Sequence, residues 1–138
     1  MKIGFTCGVF DLFHAGHVLM LEECARHCDF LIVALNTAVN IDSTINSDKQ
    51  VPIYSIEERL LIMKACRYVD KVVIYNSEEE LMDLMKLNKI DIRFIGDDYR
   101  EKKITGAELN IPIHYTDRSH GLSSSNYRSL IIKKSNSL

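Results

Sequence analysis

Residues 8–17 read Gly-Val-Phe-Asp-Leu-Phe-His-Ala-Gly-His, so one carboxylate, two imidazoles three positions apart and two glycines follow directly on an apolar run. Backbone N–H groups at a helix start are unpaired and carry partial positive charge, and imidazoles beside them add side-chain donors, so the combination suits a phosphate. Gly8 frees the backbone just past the apolar run, Gly16 allows a tight turn, and a helix is expected to start at about His17. Asp11 is placed to orient an imidazole, hold a metal ion or cap a turn. Two histidines at this spacing can also ligate zinc, but the helical His-Glu-x-x-His pattern, with spacing four and a Glu, is absent. The dinucleotide fingerprint G-x-G-x-x-G and the P-loop G-x-x-x-x-G-K-[ST] are missing too, so this loop holds phosphate by another device.

The elements that must position these groups alternate along the chain. Lys2 to Cys7 reads as a short strand, and Val18, Leu21, Ala25 and Cys28 recur at helical spacing. Asp29 to Asn36 is a continuous apolar run, as expected of a strand buried on both faces. Residues 37–54 lack a clear period and read as a loop. Ser55 with Glu58, and Ser77 with Glu80, are capping-box signatures for two further helices. Lys71 to Tyr75, Asp91 to Ile95 and Ile111 to Tyr115 read as strands, and residues 124–134 as a closing helix. This alternation predicts a single domain over 1–138: α/β, a Rossmann-like open parallel five-stranded sheet with helices on both faces. In such sheets ligands bind beyond the carboxyl ends of the strands, where the strand order reverses. The Gly8 loop, the Gly96-Asp97-Asp98 turn and the Gly121 stretch all fall at those ends.

The formal net charge of −2 gives no support for a general nucleic-acid or membrane-surface binder. No segment is apolar enough for long enough to span a bilayer, and the start of the chain lacks the apolar run of a signal peptide, so the expectation is a cytoplasmic protein. The four cysteines, Cys7, Cys24, Cys28 and Cys66, are read as reduced. Cys24 and Cys28 share a helix face and are read as small core residues, with a metal or redox role beside His27 as the other reading.

Several segments together resemble the cytidylyltransferase branch of the nucleotidyltransferase superfamily. GVFDLFHAGH is similar to its G-x-F-D-x-x-H-x-G-H signature, and EERLLIMKACRYVDKVV (57–73) to its Arg-containing helix followed by R-Y-V-D-x-V. IGDDY (95–99) resembles its G-D-D-[WY] turn, and RSHGLSSS (118–125) its R-T-E-G-I-S-T-T segment. By length and pattern the resemblance is closest to the glycerol-3-phosphate cytidylyltransferases. It implies transfer of CMP from CTP to a small phosphomonoester with release of pyrophosphate, in a Mg²⁺-dependent reaction serving capsule or teichoic acid synthesis.

The resemblance also implies roles. His14 and His17 would contact the triphosphate and stabilise charge as pyrophosphate leaves; Gly8, Val9 and Phe10 would supply backbone near the phosphates, and Asp11 would support the site. Lys49 and Arg59 would serve the phosphates, the acceptor's included. Gly96 and Asp97 would meet the base or ribose, with Asp11 or Asp97 available to Mg²⁺. Arg118, Ser123, Ser124 and Ser125 would make a second phosphate site at the last helix. Relatives are commonly homodimers, which assigns Arg67, Tyr68 and Asp70 to contacts or to framing the site. The chain departs from the pattern at Val9, where the glycerol-3-phosphate enzymes often carry Thr, at His120, which replaces an acidic residue, and at Asp117. The acceptor therefore stays open, and so does the base: adenylyltransferases acting on sugar phosphates or FMN share the H-x-G-H loop. A non-catalytic nucleotide-binding sensor would also fit the size and fold.

Overall fold

The computed structural model describes residues 1–39 and 51–137. Their strands are β1 (Ile3–Gly8), β2 (Phe30–Asn36), β3 (Lys71–Tyr75), β4 (Ile92–Gly96) and β5 (Ile113–Thr116). The helices are α1 (Ala15–Arg26), α2 (Ile56–Ala65), α3 (Glu78–Leu87) and α4 (Ser124–Asn136), with 3₁₀ turns at Asp97–Tyr99 and Ala107–Leu109. All pairings are parallel and the order is β3-β2-β1-β4-β5. The five-stranded open parallel sheet expected from the sequence is the fold observed.

The core follows from the twofold period of the strands. On β2, Leu31, Val33 and Leu35 face one layer with Leu21 and Cys24 of α1 and Met63 of α2. Ile32 and Ala34 face the other, with Phe5, Tyr75 and two residues of α3, Leu81 and Met85. A strand covered on both faces has no polar side, which is why β2 reads as an unbroken apolar run.

Helix starts are set by side chains. Ser55 Oγ accepts from Glu58 N–H at 3.1 Å while Glu58 Oε2 accepts from Ser55 N–H at 2.9 Å, a complete capping box. At α3 the device is half formed: Ser77 Oγ accepts from Glu80 N–H, but the Glu80 carboxylate takes the N–H of Asn76, one residue earlier. All four cysteines are free thiols. Cys24 is fully buried within the core, as read from the sequence, and burial pushes its thiol far above its ordinary value.

The sheet parts where its strand order reverses. From β1 the chain runs outward through β2 to β3, then returns to place β4 and β5 on the other side. The β1–β4 ladder pairs Gly4 with Ile92 and Phe5 with Arg93; one step further, the Thr6 hydroxyl donates to the Phe94 carbonyl at 3.3 Å. Beyond that, at the carboxyl ends, a crevice opens.

Truncation of the doubly covered strand should be costly. Leu35→Ala is expected to lose about 2–5 kcal/mol in urea denaturation, whereas the same change at the exposed Leu87 should stay within about 0.5 kcal/mol.

Candidate active site

The helix behind the first loop starts two residues earlier than expected, at Ala15, which makes His14 its N-cap and His17 its third residue. His14 Nδ1 accepts the N–H of Gly16 at 2.9 Å, and His17 Nδ1 accepts the N–H of His14 at 3.1 Å. This is a capping box built from two imidazoles. Because each Nδ1 is an acceptor, each neutral ring carries its proton on Nε2. The rings sit 3.9 Å apart between centroids. Tyr127 packs on His14 at 4.9 Å, and Phe10 and Phe13 flank His17 at 5.3 Å each. His14 Nε2 is enclosed and has no hydrogen-bond partner among the described residues. Gly16 is required here, since a Cβ would lie 2.7 Å from the His14 ring and 2.9 Å from Leu122.

Both rings are held neutral. Burial lowers the pKa of His17 to about 3, with repulsion from His14 and Arg118 adding to it. Burial also lowers that of His14, with His120 and Arg118 acting in the same direction.

The loop ahead of the helix is strained and pinned. Phe10 and Leu12 have φ of 53° and 50°, the left-handed region that non-glycine residues rarely adopt. Asp11, between them, is buried. Its Oδ2 accepts from Ile53 N–H at 2.8 Å and from Arg128 of α4, its Oδ1 from Tyr54 N–H at 2.9 Å, and its carbonyl from the Ser124 hydroxyl at 2.6 Å. Burial alone would raise the Asp11 pKa; the two N–H donors and Arg128 outweigh it and hold the carboxyl low.

Arg59, expected at a phosphate, has its guanidinium taken up by backbone carbonyls. It is buried and donates to four carbonyls, those of Val9, Asn36, Thr37 and Tyr54. It clamps the ends of β1 and β2 to the start of α2 and has no part in the cavity wall. Both oxygens of Asp11, which the resemblance offered to a metal, accept hydrogen bonds within the chain, and Asp97 is exposed on the 3₁₀ turn after β4. Lys49 lies outside the described residues.

The crevice is a cavity of about 650 Å³. Gly8, Val9, Phe10, His14, His17, Gly96, Arg118, Ser123, Ser124 and Ser125, all anticipated from the sequence, line it together. Arg118 lies across the end of β4, where a Cβ on Gly96 would approach its Cδ at 3.0 Å, and its guanidinium is 3.9 Å from Asp98. Ser123 Oγ caps α4 through Asn126 N–H, and the Ser124 hydroxyl is taken by Asp11, so α4 offers the cavity its N-terminal N–H groups more than its hydroxyls.

The wall also includes Cys7, Tyr75, Arg93, Lys103 and Thr105, to which the motifs did not point, and His120 from the 118–125 segment. Arg93 had a usable signal, being the one charged residue in an apolar strand run, and a buried cation needs a reason. Its Nη1 donates to the Thr105 carbonyl at 2.7 Å. His120 repeats the device of the first helix, its Nδ1 accepting from Leu122 N–H at 2.9 Å. Of the segment assigned to a dimer, Asp70 is used within the chain, accepting from Leu31 N–H, and Tyr68 donates to Glu22 while accepting from Arg67.

Histidines that stay neutral when folded protonate at about pH 6.5 once unfolded, so below that pH the unfolded chain binds more protons. Their contribution to stability is full above about pH 6.5 and is lost as pH falls toward the folded value, about 3 for His17. Gln at the third helical position keeps the capping bond without titrating. Between pH 6.5 and 5 wild type should therefore lose roughly 1–2 kcal/mol more than His17→Gln, measured by urea denaturation at each pH.

A family model described as Cytidylyltransferase-like matches residues 5–130. Among curated relatives, the bifunctional protein HldE of Gluconacetobacter diazotrophicus is 37% identical over 109 residues, covering 79% of this chain and 22% of that protein. The bifunctional protein HldE of Campylobacter jejuni subsp. jejuni serotype O:6 is 35% identical over 124 residues, covering 90% and 26%. The chain thus spans about a quarter of the length of these relatives. In structure, it is similar to the lipopolysaccharide core biosynthesis protein from Thermoplasma volcanium GSS1, with TM-score 0.63, 26% identity, and coverage of 83% of this chain and 93% of that one. The fold is shared with pantoate-beta-alanine ligase from Francisella tularensis, with TM-score 0.61, 16% identity, and coverage of 92% and 65%. The specific likeness to glycerol-3-phosphate cytidylyltransferases gives way to a broader one, since the relatives found here are HldE proteins. With the paired imidazoles, the parted sheet and a match over nearly its whole length, the chain belongs to the Cytidylyltransferase-like family of nucleotidyltransferases.

Proposed function

We propose that the chain transfers the adenylyl group of ATP to a sugar phosphate. The observation that carries nucleotidyl transfer is the imidazole capping box, which sets two neutral Nε2–H donors and the start of α1 beside one cavity. The choice of ATP and a sugar phosphate rests on the relatives, which favour the adenylyl branch over a CTP and glycerol phosphate pair.

In this reading an oxygen of the acceptor phosphate attacks the α-phosphorus in line. The new P–O bond forms as the bond from the α-phosphorus to the bridging oxygen breaks, and pyrophosphate leaves with that electron pair. No covalent enzyme intermediate is needed, so catalysis is positioning and charge stabilisation. His14 and His17 donate to the triphosphate, the loop at Gly8, Val9 and Phe10 supplies backbone against it, and Arg118 and the start of α4 meet the phosphates from the other rim. Arg93 and Lys103, also on the cavity wall, suit an anionic acceptor. Mg²⁺ would be carried on the nucleotide's own phosphates, with the exposed Asp97 carboxylate available to it at the turn after β4.

A second reading keeps CTP as donor to a small phosphomonoester. The paired Asp97 and Asp98 after β4 favour it, because that turn resembles the cytidylyl members. A homodimer also belongs to the proposal, for which an apolar groove lined by Phe13, Val18, Ile62 and Tyr68 adjoins the expected segment.

Pyrophosphate release should be measured with ATP and with CTP in Mg²⁺ against a panel of sugar phosphates, glycerol 3-phosphate and other phosphomonoesters. Turnover with ATP and a sugar phosphate is expected. Turnover with CTP alone would move the chain to the second reading, and none with any nucleotide would remove it from catalysis. His14→Ala and His17→Ala should each lower kcat by roughly 10²–10³.

A further inference from the structure

Away from the cavity, three groups that ligate metals converge where α1 packs beside β5. They are Glu23 and His27, one helical turn apart on α1, and His114 on the edge strand. One ligand atom from each lies within 4.8 Å of the other two. Glu23 Oε2 is 2.6 Å from His114 Nε2, and the His27 and His114 rings lie 4.1 Å apart, tilted by 32°. The Glu23 side chain is only 15% exposed and is doubly held, its Oε1 accepting the N–H of Asp117 at 3.1 Å.

We propose that Glu23, His27 and His114 form a binding site for one divalent transition cation of the zinc type. A carboxylate needs one imidazole to satisfy it, and the second ring adds no hydrogen bond to the pair. Two imidazoles this close repel if both are protonated, whereas a shared cation turns both into ligands. Two nitrogens and one oxygen match zinc, which accepts three protein ligands and leaves its fourth position to water. Mg²⁺ and Ca²⁺ prefer oxygen alone, so the Mg²⁺ that accompanies a nucleotide does not compete. Around a tetrahedral ion with bonds of about 2.0–2.2 Å the ligand atoms close to roughly 3.4 Å. His27 is exposed at the end of its helix and is free to supply that adjustment. When Nε2 of His114 turns from Glu23 to the cation, the ring stays neutral with its proton on Nδ1, so that Nε2 offers its lone pair.

The site touches the cavity indirectly. Asp117, whose N–H is held by Glu23, immediately precedes Arg118. A cation on Glu23 therefore fixes the carboxylate that anchors this rim of the nucleotide site.

Equilibrium dialysis of the chelator-treated full chain against micromolar Zn²⁺ tests the proposal, with the Tm of each variant in chelator confirming its fold. Wild type should retain one Zn²⁺ per chain and gain several degrees in Tm with excess metal. His27→Gln, at an exposed position, and His114→Gln should each weaken binding by at least about tenfold. The Cys28→Ser and His17→Gln variants should bind as wild type does, which separates this site from the neighbouring thiol and from the cavity histidines. Absence of retained Zn²⁺ in wild type, unchanged binding in folded His27→Gln, or loss of binding in Cys28→Ser or His17→Gln would each overturn the assignment.

Discussion

Two hydrogen bonds from backbone to imidazole, Gly16 N–H to His14 and His14 N–H to His17, decide the chemistry of the cavity. A helix start must satisfy its leading N–H groups, and here side chains usually reserved for chemistry do so. The tautomer follows from this use: with both Nδ1 atoms accepting, each neutral ring carries its donor proton on Nε2. Burial keeps the rings uncharged, so they present dipoles whose orientation is already fixed. Donors that need no reorganisation are the kind that stabilise developing charge best.

The rings are only as well placed as the loop that delivers them, and that loop is held from outside the apolar core. Asp11 joins three segments at once: the strained turn at Phe10 and Leu12, the chain ahead of α2, and α4. Arg59 performs the same service with the opposite charge, gathering four carbonyls from the ends of β1 and β2 and from the segment before α2. Both are buried ionic groups whose partners are mostly backbone. Charged groups of this kind are tolerated in an interior when every lone pair or proton finds a partner, and they fix geometry more than they add stability.

What the sequence disclosed and what it hid divide along physical lines. Strands covered on both faces are unbroken apolar runs, so β2 was legible almost to the residue, and Ser55 with Glu58 announced its helix because that capping chemistry is common. The start of α1 was misplaced because histidine is not a usual cap. Gly8, His14, His17, Gly96 and Arg118 could be grouped because all lie at strand ends, which the topology gathers on one rim. The supporting bonds of Asp11 and Arg59 were hidden because a local motif gives the charge but not the groups that meet it; the Arg128 partner of Asp11 lies 117 residues away. The convergence of Glu23 and His27 with His114 depends in the same way on β5 taking the edge of the sheet.

α4 contributes no buried residue, yet it supplies Arg128, Tyr127 and the serines at its start to the site wall or its supports. Its apolar side chains Leu130, Ile131 and Ile132 are exposed. Undocking this helix would uncover little apolar surface, so such an opening carries a small denaturant dependence and a small heat-capacity change. It would be opposed chiefly by ionic and hydrogen-bonding contacts. The rim of the cavity can then come apart and re-form while the sheet stays folded, which makes its integrity a matter of local equilibrium and separates it from the stability of the molecule as a whole.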